Sequence, residues 1–180
     1  GTGIIVSQEA YHGTSDLTSG CSPALGTGQT LAATTRLVAA PDQYRFEGED
    51  LGDWFAAQIQ AQIDDMNANG IKFAGFLADS IFSSDGVMPN PIGFLKKAVD
   101  VVHANGGIFI ADEVQPGFAR TGDSFWGFGR HNVVPDIITT GKPMGNGVPV
   151  SGLLAKSEVL AAFSDKILYF NTFGGNPVSM

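Results

Sequence analysis

Cysteine is nearly missing: the 180 residues contain one, Cys21. A single thiol excludes an internal disulfide framework and leaves no Cys-x-x-Cys pair for zinc, so the expected home is the reducing cytoplasm. Histidine is almost as sparse. His12, His103 and His131 stand at no spacing that metal ligands use, and no metal is expected; His103, near the end of a helical stretch, reads as a surface or capping residue. Charge is thin as well, at 16% of residues where an ordinary soluble domain has about a quarter. With 10 Lys and Arg against 18 Asp and Glu, the net charge is −8, which argues against nucleic acid or an acidic membrane as a partner. No apolar run approaches the roughly 18 residues that cross a bilayer. The opening Gly1–Val6 has neither the charged nor the long apolar stretch of a signal peptide, and without an initiator methionine the chain is expected to be a piece of a longer protein.

Against these shortages stand a hydrophobic content of 43% and 24 glycines. The balance suits one domain with a large buried fraction, as in the interior of a bigger molecule or an oligomer. Ile4–Val6 reads as a short strand feeding a long polar loop, Ser7 to Thr30. From Leu51 onward Trp54, Phe55, Ile59, Ile63 and Met66 recur at helical spacing until Asn69-Gly70 stops the helix. Phe73–Ala78 is a continuous apolar run of the kind a parallel strand shows when both its faces are covered. Asn90 and Pro91 predict the cap and first residue of a second helix with its stripe on Ile92, Leu95, Val99 and Val102, ended by Asn105-Gly106-Gly107. Ile108–Ala111 and Ile137–Thr139 repeat the strand signal, Gly152–Ala155 adds a further short strand, and Ser157 is expected to cap a helix through Phe163. Strand, helix and strand in that order form a right-handed βαβ unit, so the fold class is α/β.

Ligands of open α/β sheets bind at the carboxyl ends of the strands. Three predicted strands end in chemistry: Asp79-Ser80, Asp112-Glu113-Val114-Gln115, and Gly141-Lys142-Pro143. Two carboxylates and a lysine therefore converge on one rim, although an acid at a strand end also serves as a plain helix cap. Lys142 sits in the glycine-rich stretch Gly141–Gly147, either as an ion-pair partner of Asp112 or as a Schiff-base lysine whose amine attacks a carbonyl. In the second case Asp112 is the acid that keeps a pyridine nitrogen protonated and the ring an electron sink. A P-loop is excluded, because Asp136 stands where its first glycine belongs and Pro143 where Ser or Thr should follow the lysine. A dinucleotide fingerprint fails too, since Gly26-Thr27-Gly28 follows no strand. A scaffold that keeps the fold without the chemistry is disfavoured by the presence of Lys142, Asp112 and Gln115 together.

Four motifs carry a resemblance: Tyr11-His12-Gly13; Asp112-Glu113-Val114-Gln115 followed by Gly117–Gly122; Gly141-Lys142; and Asn171–Pro177. In this order they resemble the class III pyridoxal-phosphate aminotransferases over Ile4 to Met180, most closely the alanine–glyoxylate aminotransferase 2-like subgroup, which includes phospholyases. The resemblance implies a fold-type I large domain, mainly parallel sheet with helices on both faces, of which residues 1–180 are the central part. The phosphate-cradling loop upstream and the small domain downstream are expected to lie outside it, and the piece alone to be inactive. It implies pyridoxal 5'-phosphate as cofactor, Lys142 as the lysine that binds it, Asp112 at the pyridine nitrogen, Val114 and Tyr11 on the two ring faces, Gln115 beside the ring hydroxyl, and Thr172 at the phosphate of the other subunit of a homodimer. The implied reaction moves an amino group from an amine or amino acid to a 2-oxo acid or aldehyde; the alternative is elimination of phosphate from a phosphorylated amine. Many family members have Glu-Pro where this chain has Asp79-Ser80, which leaves the role of Asp79 open.

Overall fold

A computed structural model describes residues 1–180. One six-stranded sheet organises them, built from β1 (Gly3–Ser7), β2 (Thr35–Val38), β3 (Phe73–Asp79), β4 (Ile108–Asp112), β5 (Ile137–Thr140) and β6 (Gly152–Ala155). Its order is β2-β1-β3-β4-β5-β6. The first five are parallel, and β6 returns antiparallel to β5 with Ile138 opposite Leu154. The chain leaves β1 for β2 on one side and then crosses back to β3 on the other. This reversal between β1 and β3 is the switch point at which such sheets leave a crevice.

The expected helix of residue 51 onward is α2 (Leu51–Ala68), capped by Asp50, whose carboxylate accepts the Asp53 N–H at 2.9 Å. It packs with α3 (Leu95–Ala104) on one face of the sheet. Register puts Ile5, Phe76 and Phe109 on that face, and Ala78 and Ala111 with them. These join Phe55, Ile59, Ile63, Leu95, Val99 and Val102 in one buried core. Phe55 stands edge-on to Phe82 and Phe94 at ring-centre distances of 5.5 and 5.8 Å, a favoured aromatic geometry. On the opposite face Leu77, Ile110 and Ile137 lie in register and are half-buried. There α4 (Ser157–Ser164) places Val159, Leu160 and Phe163 across an apolar cavity of about 1000 Å³ from Ile137, Leu153 and Ala155. Helices thus flank both faces.

Several local expectations are corrected. The second helix begins at Leu95 rather than Pro91, because Gly93 adopts φ 90°, a left-handed conformation that no helical turn contains. Ser157 is the first helical residue of α4 and makes no capping bond. Trp54 is more than a third exposed, leaning on Phe46 at the rim instead of joining the core stripe. The polar loop after β1 holds a single helical turn, α1 (Asp16–Ser19), and the short edge strand β2 follows it. His103 is exposed, as expected, and adds a contact the sequence does not mark: its Nε2 lies 2.8 Å from Asp136, which also meets Lys156 Nζ at 2.7 Å and the Phe109 N–H at 2.8 Å. This cluster ties α3, β4 and the start of α4 together at the edge opposite the switch-point crevice. Burial alone would raise the Asp136 carboxyl, and the lysine, the amide and the histidine together hold it below the ordinary carboxylate range.

Candidate functional site at the strand ends

The loops leaving β1, β3, β4 and β5 open on the same sheet edge and line a cleft of about 180 Å³. Tyr11, His12 and Gly13 come from the first, Asp79, Ser83 and Ser84 from the second, Asp112, Val114 and Gln115 from the third, and Lys142 from the fourth. Five of the six residues singled out in the sequence therefore meet in one place. The sixth, Thr172, lies exposed in the segment after α4, outside the cleft.

Asp112 is the most constrained of these side chains. Its Oδ1 accepts the Val114 N–H at 3.1 Å, and its Oδ2 lies 2.7 Å from His12 Nδ1. A carboxylate can only accept, so the His12 proton sits on Nδ1. His12 is itself held by its backbone N–H, which donates to the buried Ser22 Oγ at 2.9 Å, and Ser22 in turn donates to the Thr18 carbonyl at 2.7 Å. The loop after β1 is thereby folded as a unit that presents Tyr11 and His12 to the strand ends. His12 Nε2 remains buried without a partner.

Asp79 pairs in register with Asp112 across β3 and β4. Burial pushes its carboxyl above the ordinary range, and the neighbouring Asp112 adds to that, while Ser83 and the Ile81 and Ser83 amides pull it down. Both Asp79 oxygens are engaged by these groups, so its visible role is to fold the 79–83 turn that carries Ser83 and Ser84 to the cleft wall.

Lys142 starts a single tight turn after β5. The sequence places the conformational freedom of this stretch in its glycines; the structure puts left-handed backbone on Lys142 at φ 46°, on Asn146 at φ 46° and on Gly147. Gly141 is extended. Backbone strain of this kind clusters at functional sites. The Lys142 side chain is exposed to the cleft and makes no ion pair, which removes the structural pairing with Asp112 as its explanation.

A doubly wound α/β sheet with an amine, a carboxylate and an aromatic ring around a switch-point cleft defines a small-molecule site. The family is specific: the model of the class III aminotransferases matches residues 1–180, and the chain belongs to that family. It is 36% identical over 98% of its length to an alanine–glyoxylate aminotransferase 2-like protein of Drosophila melanogaster. It is 39% identical, again over 98%, to the mitochondrial alanine–glyoxylate aminotransferase 2 homolog 2 of Arabidopsis thaliana. The chain spans 38% and 36% of those two proteins. Among solved structures it resembles a phospholyase from Arthrobacter in complex with phosphoethanolamine, with TM-score 0.90, 37% identity, and coverage of 98% of this chain and 43% of that one. A Bacillus anthracis aminotransferase aligns with TM-score 0.86 and 28% identity over 98% of this chain and 42% of that one.

Pyridoxal 5'-phosphate is the cofactor of this family, and the ring end of that molecule fits what the cleft offers. A carboxylate stands ready for a pyridine nitrogen, an unpaired primary amine for the aldehyde, a tyrosine and a valine for the two faces, and His12 Nε2 is a buried polar atom still without a partner. For the phosphate the lining offers no cation besides Lys142.

Proposed function

We propose that residues 1–180 are the central part of the cofactor-binding large domain of a pyridoxal-phosphate-dependent aminotransferase. The complete protein then moves an amino group from an amine or amino acid to a 2-oxo acid or aldehyde. The observation that carries this reading is the meeting of Lys142, Asp112, Tyr11, Val114 and Gln115 at one cleft from three separate loops. When bound, the cofactor supplies a cationic ring that withdraws electrons from the substrate's α-carbon. Asp112 would keep the ring nitrogen's proton in place, and His12, bonded to its Oδ2, would hold the carboxylate in position. Tyr11 and Val114 would pack against the two faces of the ring, and Gln115 would hydrogen-bond the ring hydroxyl. Lys142 Nζ would hold the cofactor's aldehyde carbon before substrate arrives and then carry the proton from the substrate's α-carbon to the cofactor's C4′. Thr172 reaches the phosphate of the second subunit in a homodimer, in keeping with its position outside the cleft of its own chain.

The test is borohydride reduction of the natural full-length protein after loading with pyridoxal 5'-phosphate. The expected result is a permanent cofactor mass on the peptide containing Lys142, absent from Lys142→Ala. Cofactor bound to no lysine, or to another one, would contradict the reading. Elimination of phosphate from a phosphorylated amine is the second reading, favoured by the likeness to the Arthrobacter phospholyase.

A further inference from the structure

Behind the cleft, hydrogen bonds converge on a side chain that the proposed chemistry does not use. Glu113 follows Asp112 at the end of β4, and neighbouring residues of an extended chain point to opposite sides. Its carboxylate is fully buried on the side away from Asp112. Oε1 accepts the Ser80 hydroxyl at 2.7 Å and the Phe128 N–H at 3.0 Å, and Oε2 accepts the Gly127 N–H at 2.7 Å. No cation is among its partners. Burial, the largest influence, pushes this carboxyl above its ordinary range despite the three donors. Such a group is retained at a cost to stability, which an apolar residue of similar size would avoid.

Three segments meet on these two oxygens: the continuation of β4, the end of β3 through Ser80, and the turn that closes the 116–128 loop. That loop is drawn in to contact, since a Cβ at Gly127 would stand 2.5 Å from both Ser80 Oγ and Pro116 Cβ. Only glycine fits there. The same loop carries two successive non-glycine residues in left-handed backbone, Phe118 and Ala119 at φ 62° and 61°, a strain that its surroundings must hold. From the far side, the Ser80 carbonyl accepts His131 Nε2–H at 2.9 Å, which fixes the serine backbone as well. Asp112 and Val114 are the immediate neighbours of Glu113, and Asp79 is the neighbour of Ser80. Each clamp residue is therefore one peptide away from the cleft wall.

We propose that Glu113, with Ser80, is a positioning residue: its carboxylate clamps the ends of β3 and β4 to the 116–128 loop and so sets where Asp112 and the Val114–Gln115 backbone meet the cofactor ring. The inference rests on the cleft being the pyridoxal-phosphate site. Glu113→Gln tests it, because an amide nitrogen cannot accept and one of the contacts becomes donor against donor. Ser80→Ala removes one donor and leaves the carboxylate in place.

In the natural full-length protein, apo samples of the parent and both variants are titrated with pyridoxal 5'-phosphate by tryptophan fluorescence, melted without cofactor, and assayed with an amino donor. The Glu113→Gln dissociation constant for the cofactor is expected to rise about tenfold, and kcat to fall roughly 100-fold with KM for the donor little changed, the scale of a misplaced catalytic group. Ser80→Ala shifts both in the same direction by less, and decides the matter if Glu113→Gln does not fold. A variant that melts lower but keeps the parent's cofactor affinity and kcat has lost only a structural bond, and overturns the proposal. A parent that binds no cofactor overturns the functional reading itself, and that arm is read independently of the variants.

Discussion

Lys142 holds its backbone at φ 46°, where a residue with a Cβ is strained by about 1–2 kcal/mol. Lys142→Ala removes the amine and keeps the strain, whereas Lys142→Gly removes both. Both variants are expected to lose turnover, and thermal unfolding should show the glycine variant more stable than the alanine variant by about 1 kcal/mol. An alanine variant equal or superior in stability would show that the left-handed conformation is relaxed in solution. His131 makes a separate prediction about pH. It is fully buried, its Nδ1 accepts the Gly93 N–H at 3.2 Å, and its Nε2–H donates to the Ser80 carbonyl. Burial, joined by the Arg130 charge, lowers its pKa from 6.5 to about 4, against the pull of the Ser80 carbonyl. The unfolded chain then binds a proton that the folded chain refuses, so the contribution of His131 is complete above pH 6.5 and is lost as pH falls from 6.5 towards 4. The loss amounts to roughly 3 kcal/mol at the low end. Asp79 and Glu113 are shifted upward by burial and act in the opposite sense over the acid range, favouring the folded state as pH falls. The comparison must therefore be the difference in denaturant stability between parent and His131→Gln at pH 7 and pH 4.5. A difference that does not change with pH would refute the assignment.

At the scale of elements, α2 and α3 owe their place to one apolar layer rather than to their own propensity. Phe55 is fully buried and touches the rings of Phe76, Phe82 and Phe94. Phe55→Ala is expected to lower the free energy of unfolding by about 3–5 kcal/mol, measured in urea, while Trp54→Ala, one turn position away on the rim, should cost far less. Much of this layer was legible in the sequence, because an 18-residue helix repeats its apolar stripe often enough to be read, and a strand buried on both faces is an unbroken apolar run. The edge strand β2 was not, since Thr35–Val38 gives only two apolar residues and its partner β1 lies 31 residues back at the register pair Ile4–Thr35. The start of α3 departs from its local signal: Pro91 has the shape of a helix start, and the backbone angle of Gly93 cancels it. At the site, Asp112, Lys142 and Tyr11 were visible because strand ends and motifs mark them. The contacts that orient them were invisible. His12 meets Asp112 across 100 positions, and Ser80 meets Glu113 across 33, distances over which no periodicity in the sequence extends.

These 180 residues leave several large apolar side chains exposed. Leu168, Phe170 and Phe173 are 95%, 80% and 79% exposed in the segment that carries Thr172, and the cavity under α4 is lined mostly by hydrophobic side chains. The proposed role of Thr172 gives an expected homodimer: light scattering of the full-length protein with cofactor should return twice the chain mass at micromolar concentration, and a stable monomer that still turns over would contradict it. The reaction itself is decided by chemistry that both proposed activities share up to the loss of the α-carbon proton. If the substrate's β-carbon bears a phosphate, that group would leave with the electron pair and no acceptor is needed; otherwise the proton would go to the cofactor's C4′ and an oxo acid must take up the amino group. Lys142 serves either course, and the lining of the cleft from Tyr11 to Gln115 contains no cation committed to a substrate phosphate. The family's aminotransferase members make transamination the expected outcome. Incubation of the full-length protein with an amino donor and pyruvate should form keto product and alanine in equal amounts, and phosphoethanolamine alone should release no phosphate. Stoichiometric phosphate release without any oxo acid would reverse the assignment, and would place the missing phosphate recognition on residues contributed by the second subunit or by another part of the protein.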